Sequence, residues 1–180
     1  MTAVTTGRTT PTRLDPMYSN RGSFPMAATT TLYAGTICAL NASGYLVAGS
    51  TSSTLKVAGI VGDQPFEIPS DRITNSGSAG AKSAQVQMGV TALLENDSLD
   101  PITQDDVLND AYITDNATVC ATSGGSTKSK AGRIIEVTDQ GVWVAIGVPG
   151  VNVTGSAGTQ GAQGATGAQG PQGPQGATGA

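Results

Sequence analysis

Glycine stands at every third position over the last stretch of the chain: Gly155, Gly158, Gly161, Gly164, Gly167, Gly170, Gly173, Gly176 and Gly179, with only Ala, Gln, Thr, Ser and Pro between them. A flexible linker has no reason to keep a period of three through nine successive glycines. The collagen triple helix does, because three polyproline-II-like chains wind so closely that only a residue without Cβ fits on the axis. Residues 151–180 therefore read as a collagen-like, triple-helical stalk.

The same segment limits its own stability. Its prolines are Pro171 and Pro174, and Gln or Thr fill most Y positions, where hydroxyproline would stiffen the helix. So few triplets with so little imino acid should not trimerise unaided. A folded domain that is already trimeric would hold the three chains in register and make nucleation intramolecular. The repeat thus predicts a homotrimer built by what precedes it. Its eight full triplets reach roughly 70 Å at about 3 Å per residue. The chain stops at Gly179-Ala180 in mid-triplet, which fits a longer stalk cut short.

Upstream of Val151 there is enough chain for one ordinary domain with a core. Charged residues make up 12% and aromatics 4% of the sequence. Gly, Ala, Ser, Thr and Val dominate, which favours short strands and turns, and no window shows sustained helical amphipathicity. A net charge of −4 and the lack of any Lys/Arg-rich run argue against nucleic acid as a partner. No apolar run is long enough to cross a bilayer as a helix, and "MTAVTTGRTTPTRLDP" lacks the apolar core of a signal peptide, which predicts folding in a cytosol and no membrane partner. Cys38 in "TICAL" and Cys120 in "TVCAT" read as buried thiols, with a disulfide between neighbouring strands as the alternative.

Residues 1–28 form a polar, locally basic stretch with Arg8, Arg13 and Arg21 opposed by Asp15. It reads either as a disordered terminus or as an extended arm that orders on an acidic partner surface, with Leu14, Met17, Tyr18 and Phe24 as apolar anchors. From residue 29 to 150 the texture is that of a β domain. "TLYAGTICAL", "YLVAG", "KVAGIVGDQPF", "AQVQMGVTALL", "AYITDNATVCAT" and the pair "AGRIIEVT" and "VWVAIG" around "DQG" read as about seven short strands and hairpins. "LDPITQDDVLND" is the place for a helical turn, with Asp100 as cap and Pro101 at the first position. Trp143 reads as a core or interface residue. The pattern predicts an all-β domain, a compact sandwich or partly open barrel, carrying an extended N-terminal arm and a C-terminal stalk.

Chemistry is hard to find in these residues. The sequence has no histidine, so Ser-His and Cys-His nucleophile pairs do not arise. Asp97, Asp100, Asp105, Asp106 and Asp110 could supply paired carboxylates or a cation site, but their spacing fits no EF-hand and a solvated acidic face is the plainer reading. "GSAGAK" lacks the GK[ST] ending of a phosphate loop. We expect no enzyme, no metal and no cofactor.

The order of "KVAGIVGD", "VTALLENDSLDPITQDDV", "AYITDNATVCATSGGSTKSKAGRIIEV" and "GVWVAI" resembles the small capsid decoration, or cement, proteins of tailed bacteriophages over roughly residues 30 to 148. The resemblance implies a compact β domain that sits as a trimer on the outer surface of a phage capsid, binds the major capsid protein and reinforces the shell. It carries over no catalytic residues. Arg8, Arg13, Leu14, Tyr18, Arg21 and Phe24 would then spread over neighbouring capsid subunits, and the glycine repeat would form a fibre able to touch host or environmental surfaces. The competing expectation is a phage tail-fibre or surface adhesin component, with the β domain as anchor and any binding tip beyond Ala180.

Overall fold

The computed structural model describes residues 3–14, 20–62 and 71–147. The chain is all-β, and among the described residues the one helical element is a single 3-10 turn. In chain order the strands are β1 (Thr12–Leu14), β2 (Asn20–Pro25), β3 (Thr30–Tyr33), β4 (Ile37–Leu40), β5 (Leu46–Ala48), β6 (Lys56–Val61), β7 (Arg72–Asn75), β8 (Ser83–Met88), β9 (Val90–Asn96), β10 (Asp110–Ile113), β11 (Thr118–Cys120), β12 (Lys130–Thr138) and β13 (Gly141–Ile146).

Alternation writes the barrel. In β9, Val90, Ala92 and Leu94 are buried, and in β13 Val142, Val144 and Ile146 are buried, each separated by half-buried neighbours. The antiparallel register sets Val142 against Leu94, Val144 against Ala92 and Ile146 against Val90, so the inward residues of both strands meet on one face. β12 continues the sheet from β13 through the two-residue Asp139-Gln140 connection, β10 pairs with β12, β11 with β10, and β11 returns in parallel to β9 at Thr118↔Glu95. Five strands thereby close into a barrel. The barrel is closed, where the sequence predicted a compact sandwich or a partly open barrel. Closure is made by β9, whose Val90–Leu94 half serves β13 while Glu95 and Asn96 serve β11, which leaves the other side of Val90–Ala92 as an edge that β1 covers.

A second sheet has the order β2-β8-β6-β4-β5, and β3 pairs with β7. Ile37 and Ile60 of this second layer enter the barrel's apolar cluster with Ile113, Ile134 and Ile146. Met26, Leu32, Cys38, Leu46, Val61 and Val86 form a separate core. Both cysteines are buried free thiols, so the disulfide alternative does not form.

The helical turn lies at Gln104–Asp106, and its cap is Thr103, not Asp100. Thr103 and Asp106 satisfy each other, with the Asp106 carboxylate accepting from the Thr103 amide at 2.8 Å and hydroxyl at 2.9 Å. Asp100 is instead drawn to Thr122, whose hydroxyl donates to it at 2.7 Å.

Candidate functional site

The segment expected to meet a partner lies, where it is described, along its own body. β8 and β9 follow one another with Gly89 between them, and β2 and β1 pair antiparallel to them in turn, Asn20↔Met88 through Pro25↔Ser83 and Thr12↔Ala92 through Leu14↔Val90. The N-terminal stretch therefore crosses from the second sheet to the barrel as a strap. Its backbone donors and acceptors find the unpaired groups of the β8–β9 edge, which is why a polar segment with little apolar periodicity still becomes strand.

Ahead of β1 the strap stays close. The Leu93 amide donates to the Pro11 carbonyl at 3.0 Å, and the Arg8 amide to the Ala34 carbonyl at 2.8 Å. Val4 exchanges two hydrogen bonds of 2.8 Å with the Asn116 side chain. Thr10 is buried and its hydroxyl donates to the Gly35 carbonyl. Two glycines make room for this approach. Gly35 has φ +71 and a Cβ there would run into the Arg8 carbonyl, while a Cβ on Gly7 would come within 2.5 Å of the Asp71 carbonyl.

The six predicted partner-binding residues divide accordingly. Arg8 pairs with Glu95 and Arg13 with Glu136, each at 2.8 Å. The Arg13 guanidinium also lies 4.0 Å from the centroid of the Trp143 ring, a cation–π contact. Arg13 thus ties β1 to both β12 and β13 on the barrel's outer face, and Trp143 is a half-buried outer residue beneath it. Leu14 is the last residue of β1 and Arg21 lies in β2, opposite Gln87. Phe24 packs with Met88 against the second core, over the space left by Gly22, where a Cβ would meet the Phe24 ring at 2.8 Å. Tyr18 and the nine stalk glycines from Gly155 to Gly179 lie outside the described residues.

The acidic stretch does not converge. Asp97 accepts from the Leu99 amide at 2.9 Å and the Thr114 hydroxyl at 2.8 Å, and Asp110 pairs with Lys130 at 2.6 Å. Among the described residues no three Asp, Glu, Cys or His side chains come together in a way that could hold a metal ion. The Leu99 amide is the largest influence on Asp97 and, with Thr114, holds its carboxyl below the usual range against the opposing effect of burial. Burial pushes Asp100 up, but the Thr122 hydroxyl and amide together with Lys128 outweigh it and bring that carboxyl down.

The outer surface also carries apolar side chains that sequence reasoning missed. Leu99 is 88% exposed, Leu108 64% and Ile135 39%. Ile135 is exposed because it is the extra residue of a bulge: Ile134 faces Val144 and Glu136 faces Trp143, leaving Ile135 without a partner across the ladder. Leu108 holds φ +70, a conformation unfavourable for a residue with a Cβ. It is kept there by its amide donating to the Ile134 carbonyl at 2.9 Å and by Arg133 donating to its own carbonyl. A bulge and a left-handed leucine leave no signature in a hydrophobic pattern.

Set against family models, curated proteins and solved structures, the chain matches none.

Proposed function

We propose that the chain is a structural virion protein: a homotrimer that seats on the outer surface of a tailed-phage capsid, reinforces the shell through contacts with the major capsid protein, and projects a collagen-like fibre. The observation that carries the reading is the unbroken glycine period from Gly155 to Gly179. It requires three chains in register, and it follows a small β body suited to anchoring rather than to chemistry. The strand order that resembles decoration proteins supports placing that body on a shell. Many copies on a symmetric lattice need little affinity each.

Arg8 and Arg13 already have carboxylate partners, so in this reading they hold the strap and meet the shell only by exchanging Glu95 or Glu136 for a capsid carboxylate. In the same reading the exposed Leu99 and Leu108 offer apolar contacts to the shell. Their exposure is otherwise unfavourable, and the left-handed backbone at Leu108 is the kind of local strain that accompanies function.

The test is cryo-electron microscopy of purified particles of the virus that encodes this chain. Three-fold bodies on the head, each with a thin projection, are the expected result. Density confined to the tail would replace this reading with that of a fibre or adhesin component, and absence from the virion would end both.

A further inference from the structure

Cys120 ends β11 with no exposed surface. The chain leaves it through residues 121–127, turns where the Thr127 and Lys128 amides both donate to the Ser123 carbonyl, and brings Lys128 back over the sulfur. Nζ of Lys128 lies 3.0 Å from Sγ of Cys120 and 3.5 Å from Oδ2 of Asp100. That carboxylate oxygen is held by the Thr122 amide at 3.1 Å and hydroxyl at 2.7 Å. The Thr122 and Tyr112 carbonyls, at 3.4 and 3.6 Å from the sulfur, are the acceptors open to a thiol proton. Amine, sulfur and carboxylate therefore form one cluster, and the Lys128 and Asp100 side chains are only 17% and 25% exposed.

Three kinds of chemistry are open to a thiol. A disulfide would need Cys38, which is buried in the second core. Capture of a large electrophile would need an exposed sulfur. Dioxygen is a small oxidant, and the 3.0 Å N···S separation is close to the span of two single bonds meeting at a bent oxygen.

We propose that Cys120 and Lys128 become joined by a covalent S–O–N bridge, with dioxygen as the oxidant. One molecule of dioxygen reacts with one thiol and one amine to give the bridge and one water. The S–H bond and one N–H bond break, and S–O and O–N bonds form. Sulfur and nitrogen each give up two electrons, and dioxygen accepts all four. One oxygen atom remains in the bridge and the other leaves as water with the two hydrogens. The lysine reacts as the free amine, its extra proton passing to solvent. The product staples the 121–127 loop to the end of β11. This inference does not depend on the capsid reading.

The experiment uses the full chain, purified under nitrogen and then equilibrated with air, followed by intact and tryptic mass spectrometry. A species heavier by one oxygen and lighter by two hydrogens is expected, with trypsin no longer cutting after Lys128, and excess thiol reductant reversing both. Cys120→Ser and Lys128→Arg should each abolish it. An unchanged wild-type mass would overturn the proposal without recourse to any variant. So would a gain of whole oxygen atoms with Lys128 still cleaved, which marks ordinary sulfenic or sulfinic oxidation of the thiol.

Discussion

At Gly35 the strap runs close to the body, and a side chain there meets both an unfavourable φ of +71 and the Arg8 carbonyl. Gly35→Ala should lower unfolding stability by about 2 kcal/mol or more, read as a reduced denaturant midpoint. Leu108 is the opposite case. Leu108→Gly relieves left-handed strain at an exposed position and should leave stability unchanged or raise it by up to about 1 kcal/mol. If Leu108 serves the docking face, the same variant should bind shells less well in co-sedimentation. Asp97 and Asp100 set the acid behaviour. Both carboxyls are lowered in the folded state, so their stabilisation is present above the ordinary aspartate range and is lost as pH falls through that range toward the lowered values. In Asp97→Asn, where Thr114 loses its acceptor, the fall in thermal midpoint on acidification should be shallower. None of these roles was legible in the residues themselves. Asp100 looked like a helix cap because Pro101 follows it, yet its carboxylate answers to Thr122, which only folding brings near.

The strap is the element whose reading changed most. Residues 1–28 read either as a disordered terminus or as an arm that orders on a partner, and the described part instead pairs with the chain's own strands. Opposite charge is what locates an arginine, and Glu95 and Glu136 sit on strands remote in sequence. Arg13→Ala should remove an exposed ion pair and a cation–π contact, with a loss under about 1 kcal/mol. It should also shift the emission of Trp143, the one tryptophan. Removing residues 1–25 is a different perturbation. It strips β1 and β2 from the β8–β9 edge and uncovers Phe24's side of the second core, so self-association through an unpaired edge is expected, visible by light scattering. The hairpin β12–β13 was plain from its residues because alternating Val and Ile flank a tight connection. The split of "AQVQMGVTALL" into β8 and β9 was not, because Gly89 marks a passage between two sheets and a glycine in a strand does not say which sheet comes next.

In the proposed assembly the stalk and body make separable demands. If the chain is the proposed homotrimer, the few imino residues in the repeat leave assembly to the body, and a chain ending at Gly147 should still sediment as a trimer. Gly167→Ala should lower the melting of the polyproline-II signal in circular dichroism and leave body unfolding unchanged. A monomeric truncated chain beside a trimeric full chain would show that the repeat drives assembly, contrary to the argument from its composition, and a monomeric full chain would overturn the proposed trimer.

Local chemistry was enough to establish an all-β body, because side chains alternate along a strand under rules that act within a few residues, and the three-residue glycine period is read directly from the sequence. Barrel closure, the docking of the strap, and the meeting of Cys120, Lys128 and Asp100 depend on contacts between segments far apart in sequence. β9 closes the barrel by serving a different partner with each of its halves, and Arg8 finds Glu95 across 87 positions of chain. Periodicity along a strand says which face is apolar but not which strand will cover it, and that choice was made by packing the whole chain at once.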